Sequence, residues 1–88
     1  MKISNPFAKD FKTKIDNIFQ SAQQNAQQYI DINSGDLHRQ VGGYPGHNHR
    51  MPNCCSVMRQ YMKPGDKILN GPPSGQGASL IIRYYLPR

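Results

Sequence analysis

Eighty-eight residues make one small domain with a thin core, one that buries roughly 60–65% of the surface of its unfolded chain, and they exclude a barrel, a doubly wound sheet or a two-domain cleft. Eleven Lys and Arg stand against five acids, all Asp, for a formal net charge of +6. The excess is uneven: up to Asn33 four Lys face three Asp, whereas from Ser34 onward seven Lys and Arg face two Asp, and a basic half of this kind is the electrostatic footprint of a polyanion partner.

Asn5-Pro6 opens a first helix running to about Gln28, with proline in its first turn. Phe7, Phe11, Ile15, Ile18, Ala22 and Ala26 recur at three- and four-residue steps, the stripe of an amphipathic helix, and Phe19 widens it. The Gln-rich end (Gln20, Gln23, Gln24, Gln27, Gln28) reads as a solvated face. Tyr29-Ile30-Asp31-Ile32 alternates as a short strand. Ser34 is the expected N-cap of a second helix, Gly35 to about Val41, closed by Gly42-Gly43. Tyr44 to Arg50 is a Pro/Gly loop, about nine residues from Gly42 where a tight helix-turn-helix uses three or four.

A third helix follows from Met51 or Pro52 to Met62, stopped by Pro64-Gly65. Met51, Cys54, Cys55, Met58, Tyr61 and Met62 form its expected buried face; Asn53, Ser56, Val57, Arg59, Gln60 and Lys63 form its exposed one. Asp66 to Asn70 and Ala78 to Leu86 are strands around a Gly/Pro loop, a hairpin in which Leu80, Ile82, Tyr84 and Leu86 share one face.

This order predicts an α+β fold: a single winged helix-turn-helix domain over residues 1–88, with three helices, a short strand and a C-terminal hairpin wing. Such a fold sets its third helix in the major groove of DNA and its wing beside it. Double-stranded DNA is accordingly the expected partner. Arg50, Asn53 and Ser56 are candidates for base or phosphate contacts, and Arg59 and Lys63 for phosphates, with Gln60 on the same face. Arg39 on the second helix, Gln76 in the wing, and Lys67 and Arg83 at the hairpin stems complete the set. The wing itself has no Arg or Lys. The competing reading is a protein-interaction module on the same scaffold. DNA binding requires Arg50, Arg59, Lys63 and Arg83 on one contiguous surface; scattered charges favour a partner protein.

The phrases Ser34-Gly35-Asp36-Leu37-His38-Arg39, Gly42-Gly43-Tyr44-Pro45-Gly46, His49-Arg50-Met51-Pro52 with Cys54-Cys55, and Pro72-Pro73-Ser74-Gly75-Gln76-Gly77 through Arg83-Tyr84-Tyr85-Leu86-Pro87-Arg88 resemble a small family of bacterial proteins. That family is similar to the winged-helix modules found with restriction endonuclease-like or HNH-nuclease proteins. The resemblance spans about residues 29–88 and implies a DNA-related role, as a regulator or an accessory to a restriction or modification system.

Catalysis and cofactors are not expected. Zinc needs about four converging ligands; adjacent Cys54 and Cys55 diverge on a helix, and His38, His47 and His49 do not supply the familiar spacing. The Asp residues are too scattered for metal-assisted hydrolysis. Gly71 to Gly77 lacks the Gly-Lys-Ser/Thr of a phosphate loop, and a Cys54–His49 pair lacks an orienting group. Cys54 and Cys55 read as small buried hydrophobes, and His38 as a surface or half-buried residue within reach of phosphate. With no apolar run near the roughly 18–20 residues of a membrane span and no hydrophobic stretch behind Lys2, the expected location is the cytoplasm, without a membrane partner or small-molecule substrate.

Overall fold

The computed structural model describes residues 8–42 and 50–88. In chain order these form α1 (Ala8–Gln24), β1 (Tyr29–Asn33), α2 (Ser34–Val41), α3 (Met51–Gln60), β2 (Lys67–Asn70) and β3 (Ile81–Tyr85). Three helices cover one face of a three-stranded antiparallel sheet of order β1-β3-β2. The start of the first helix, with Phe7, and the loop residues His47 and His49 lie outside the described residues.

The apolar stripe of α1 is Phe11, Ile15, Phe19 and Ala22, all buried, with Ile18 half-buried beside it. The helix ends four residues earlier than its pattern suggests, and Ala26 is exposed rather than part of the stripe. The cause is a left-handed residue, since Ala26 has φ 57°. The Gln27 N–H reaches back to the Ala22 carbonyl and the Ala26 N–H to that of Gln23, both at 3.0 Å. This is the paired closure that turns a chain out of a helix.

β1 runs from Tyr29 opposite Tyr85 to Asn33 opposite Ile81. Asn33, not Ser34, caps α2: its side-chain oxygen accepts from the Asp36 N–H at 2.9 Å. Ser34 is fully buried and turns its hydroxyl 2.5 Å toward the Gly77 carbonyl. At the other end Gly42, φ 118°, donates to the His38 carbonyl and closes the helix.

His38 is fully buried, which corrects the surface or half-buried placement expected from sequence. Its ring meets Phe11 edge-on at 5.0 Å, and its Nε2 accepts the Arg50 N–H at 2.9 Å. The long connection between α2 and α3 therefore ends on a side chain of α2, which fixes where α3 begins. α3 packs against both α1 and α2 and carries Pro52 in its first turn. It stops at Gln60 rather than Met62. Tyr84 donates its hydroxyl to the Met58 carbonyl at 2.7 Å, supplying a partner in a last turn that lacks helical ones.

β3 is shorter than the alternating segment Ala78–Leu86. The Ala78 and Leu80 carbonyls do not face a neighbouring strand. They receive the Gly35 and Ser34 N–H groups at 3.2 and 2.8 Å and the Asn33 amide at 2.9 and 3.4 Å. These donors belong to the first turn of α2, so the helix start and the run into β3 satisfy each other. The expected alternation holds: Leu80, Ile82 and Tyr84 are buried against the helices, while Ile81, Arg83 and Tyr85 face outward.

Candidate nucleic-acid interface

α3 buries Met51, Cys54, Cys55, Val57 and Met58. Val57, expected on the exposed face, belongs to the core because α1 and α2 both pack against α3 and cover a wider arc than one neighbour would. The exposed residues Asn53, Ser56 and Gln60, with Lys63 just beyond the helix end, fall at steps of three, four and three. They form one stripe, with half-buried Arg59 along its border. At helical pitch these groups span roughly 120° of the cylinder. Arg50 sits at the N-cap, exposed, its backbone held by His38.

The β2–β3 loop is tied to α3. Cys55 Sγ accepts the Gly77 N–H and lies within hydrogen-bond reach of the Gly77 carbonyl, both at 3.4 Å. This draws the foot of the loop to the middle of α3, beside the exposed Asn53 and Ser56. Gln76 is exposed in that loop. Ser74 turns its hydroxyl back onto the Gln76 carbonyl at 2.6 Å. Neither cysteine is available for chemistry: both are fully buried, and burial, with a smaller effect of neighbouring Cys55, pushes the Cys54 thiol up to about 12.

The remaining sequence-selected residues lie elsewhere. Arg39, on the exposed side of α2, pairs with Asp36 at 3.1 Å. Arg83 grips Asp31 with Nε and Nη2 at 2.8 and 3.0 Å on the outer face of the sheet, and Lys67 stands opposite Arg83 on β2. That face points away from the helices. Arg50, Arg59 and Lys63 are therefore grouped by α3, but Arg83 lies on the opposite side of the sheet. The single four-cation surface expected of a DNA-binding face is thus not formed; three of the four share the α3 side. A third ion pair, unforeseen in sequence, joins Arg88 to Asp66 at 2.9 Å with side chains only 7% and 2% exposed. Burial alone would raise the Asp66 carboxyl; N–H groups of Tyr85 and Lys63 and the Arg88 guanidinium hold it below its ordinary value.

This pairing distributes charge unevenly. Asp36, Asp31 and Asp66 occupy Arg39, Arg83 and Arg88. Of the seven Lys and Arg from Ser34 onward, Arg50, Arg59, Lys63 and Lys67 have no carboxylate partner among the described residues. Three of those four lie on or beside α3. An open groove of about 810 Å³ borders the same stripe, with Gln60 and Lys63 on one bank and Asp16, Gln20 and Gln24 of α1 on the other.

Among the described residues no three His, Cys or Asp converge as metal ligands, and no helix is long and apolar enough to cross a membrane. No family model, curated protein or solved structure matches the chain.

Proposed function

We propose that the chain is a winged-helix domain that binds duplex DNA through the exposed stripe of α3, with the β2–β3 loop as its wing. The observation that carries this reading is the acid-free stripe Asn53, Ser56, Gln60 and Lys63 with Arg50 and Arg59, which brings together three of the four cations from Ser34 onward that have no carboxylate partner among the described residues. Acid on that face would be repelled by phosphate; amides and a hydroxyl hydrogen-bond to base edges or phosphates. The tie between Gly77 and Cys55 supports the wing assignment, because it brings the loop beside the N-terminal half of α3. The contact is narrower than the sequence predicts: Arg83, expected on this surface, pairs with Asp31 on the outer face of the sheet, Arg39 pairs with Asp36, and Lys67 lies off it, so Arg50, Arg59 and Lys63 carry it alone. The biological setting proposed is that of a regulator or an accessory to a restriction or modification enzyme.

Titration of the protein with a duplex oligonucleotide, followed by amide NMR shifts at two salt concentrations, tests the reading. Shifts at residues 50–63 and 71–77 that fade in high salt are the expected result. Absence of shifts at low salt refutes it.

A further inference from the structure

The outer face of the sheet carries a feature the α3 reading does not use. Tyr29 on β1 and Tyr85 on β3 are direct cross-strand partners, yet remain 43% and 39% exposed. Their rings meet edge to face, 6.1 Å apart and inclined 66°. The next cross-strand row is Asp31, Arg83 and Lys67, running across β1, β3 and β2. The Arg83 guanidinium lies 4.0 Å over the Tyr29 ring while bound bidentately to Asp31. Asp31 is thereby neutralised and Tyr29 is held in place from one side. Lys67 is left exposed and has no carboxylate partner among the described residues.

We propose that this face is a platform for single-stranded nucleic acid, with unpaired bases stacking on Tyr85 and on the side of Tyr29 that Arg83 leaves open, and the phosphates running past Lys67. Aromatic rings on adjacent strands of an open sheet, bordered by cations, have the chemistry that single strands require: every base has a π-face, and the backbone needs positive charge. A duplex keeps its bases stacked inside and has nothing to lay on these rings. The charge favours a nucleic acid: with Arg83 and Asp31 neutralising each other, the row keeps the unpaired positive charge of Lys67 beside the rings, which complements phosphate. The platform lies on the side of the sheet away from the helices, so it is independent of α3.

The test is fluorescence anisotropy with labelled oligodeoxythymidine and oligouridine of roughly 10 nucleotides, the scale of a small stacking site. Saturable low-salt binding is expected, weakened roughly 10-fold to 100-fold by Tyr85→Leu and by Tyr29→Leu, retained by Tyr85→Phe, and little changed by Arg59→Ala. Tighter binding of the uridine strand would assign the ligand to RNA, and tighter binding of the thymidine strand to DNA, either supporting the platform. Thermal melts establish that each variant is folded. Failure of both strands to bind overturns the proposal. So does binding that Arg59→Ala removes and Tyr85→Leu leaves intact, since it places the strand on α3. Concentration-dependent self-association abolished by Tyr85→Leu, without strand binding, also overturns it in favour of a protein contact. Loss of duplex binding to α3 would leave these outcomes unaffected.

Discussion

Ala26 bears the one positive φ of a non-glycine residue among the described residues, 57°. Its Cβ crowds the following carbonyl there, at a cost of roughly 1–2 kcal/mol that glycine escapes. Glycine gives part of this back through the freedom it adds to the unfolded chain. Ala26→Gly is therefore expected to stabilise the fold by about 1 kcal/mol, read as a higher midpoint in chemical denaturation. The Asp66–Arg88 pair makes the opposite prediction. Arg88 also donates to the Tyr61 and Tyr85 carbonyls and packs over the Phe19 and Tyr84 rings at 4.9 and 5.3 Å. Removing it strands a buried carboxylate, so Arg88→Met should cost about 3 kcal/mol at neutral pH. The Asp66 carboxyl is lower in the folded protein than its unfolded value of about 3.9. Its contribution is thus present above that value and is lost as pH falls through the folded one. Denaturation at about pH 7 and about pH 3 should show the Arg88→Met penalty shrinking in acid, where the stranded Asp66 is protonated.

At the scale of elements, the junction of β1, α2 and the loop before β3 is the least forgiving part of the fold. A Cβ added at Gly35 would meet the Ala78 carbonyl oxygen at 3.0 Å and the Ala78 Cβ at 3.1 Å. Alanine gains up to about 1 kcal/mol of helix propensity over glycine. Forcing backbone apart here costs roughly 1–3 kcal/mol, and Gly35 and Ala78 share a backbone hydrogen bond that cannot yield without loss. Gly35→Ala should therefore lower the melting temperature, where an open helix position would raise it. The junction also marks where the sequence stops being readable. The stripe Phe11, Ile15, Phe19 and the alternation Leu80, Ile82, Tyr84 are legible because burial repeats with the period of each element. Asn33 and Ser34 are both good caps, and only the demand of Gly77, 43 residues on, decides between them. Val57 looks exposed on a helix with one covered side; α3 has more than one. Arg83 looks free until β1, 52 residues earlier, sets Asp31 against it. Of the candidate site, the α3 stripe followed from helical spacing, while the outer-face aromatic pair required the β1–β3 register.

At the scale of the molecule, the net charge of +6 overstates what a polyanion meets on any one side. α3 gathers Arg50, Arg59 and Lys63. If all three reach phosphates, the logarithm of the duplex affinity should fall with the logarithm of salt at a slope near −2.7, or roughly 40-fold between 50 and 200 mM. Arg59→Ala should lower the magnitude of that slope by about one, as measured by anisotropy across a salt series, while Arg83→Ala leaves it unchanged. A different consequence follows from the sheet order. β3 is the middle strand, yet it comes after every element it joins. Neither edge strand has a partner until it arrives, and Tyr84, which fills the centre and satisfies α3, arrives with it. A ribosome therefore releases both edge strands before the sheet can close, and a nascent chain stalled before Leu80 should be cut by protease in β1 and β2, where the finished chain resists.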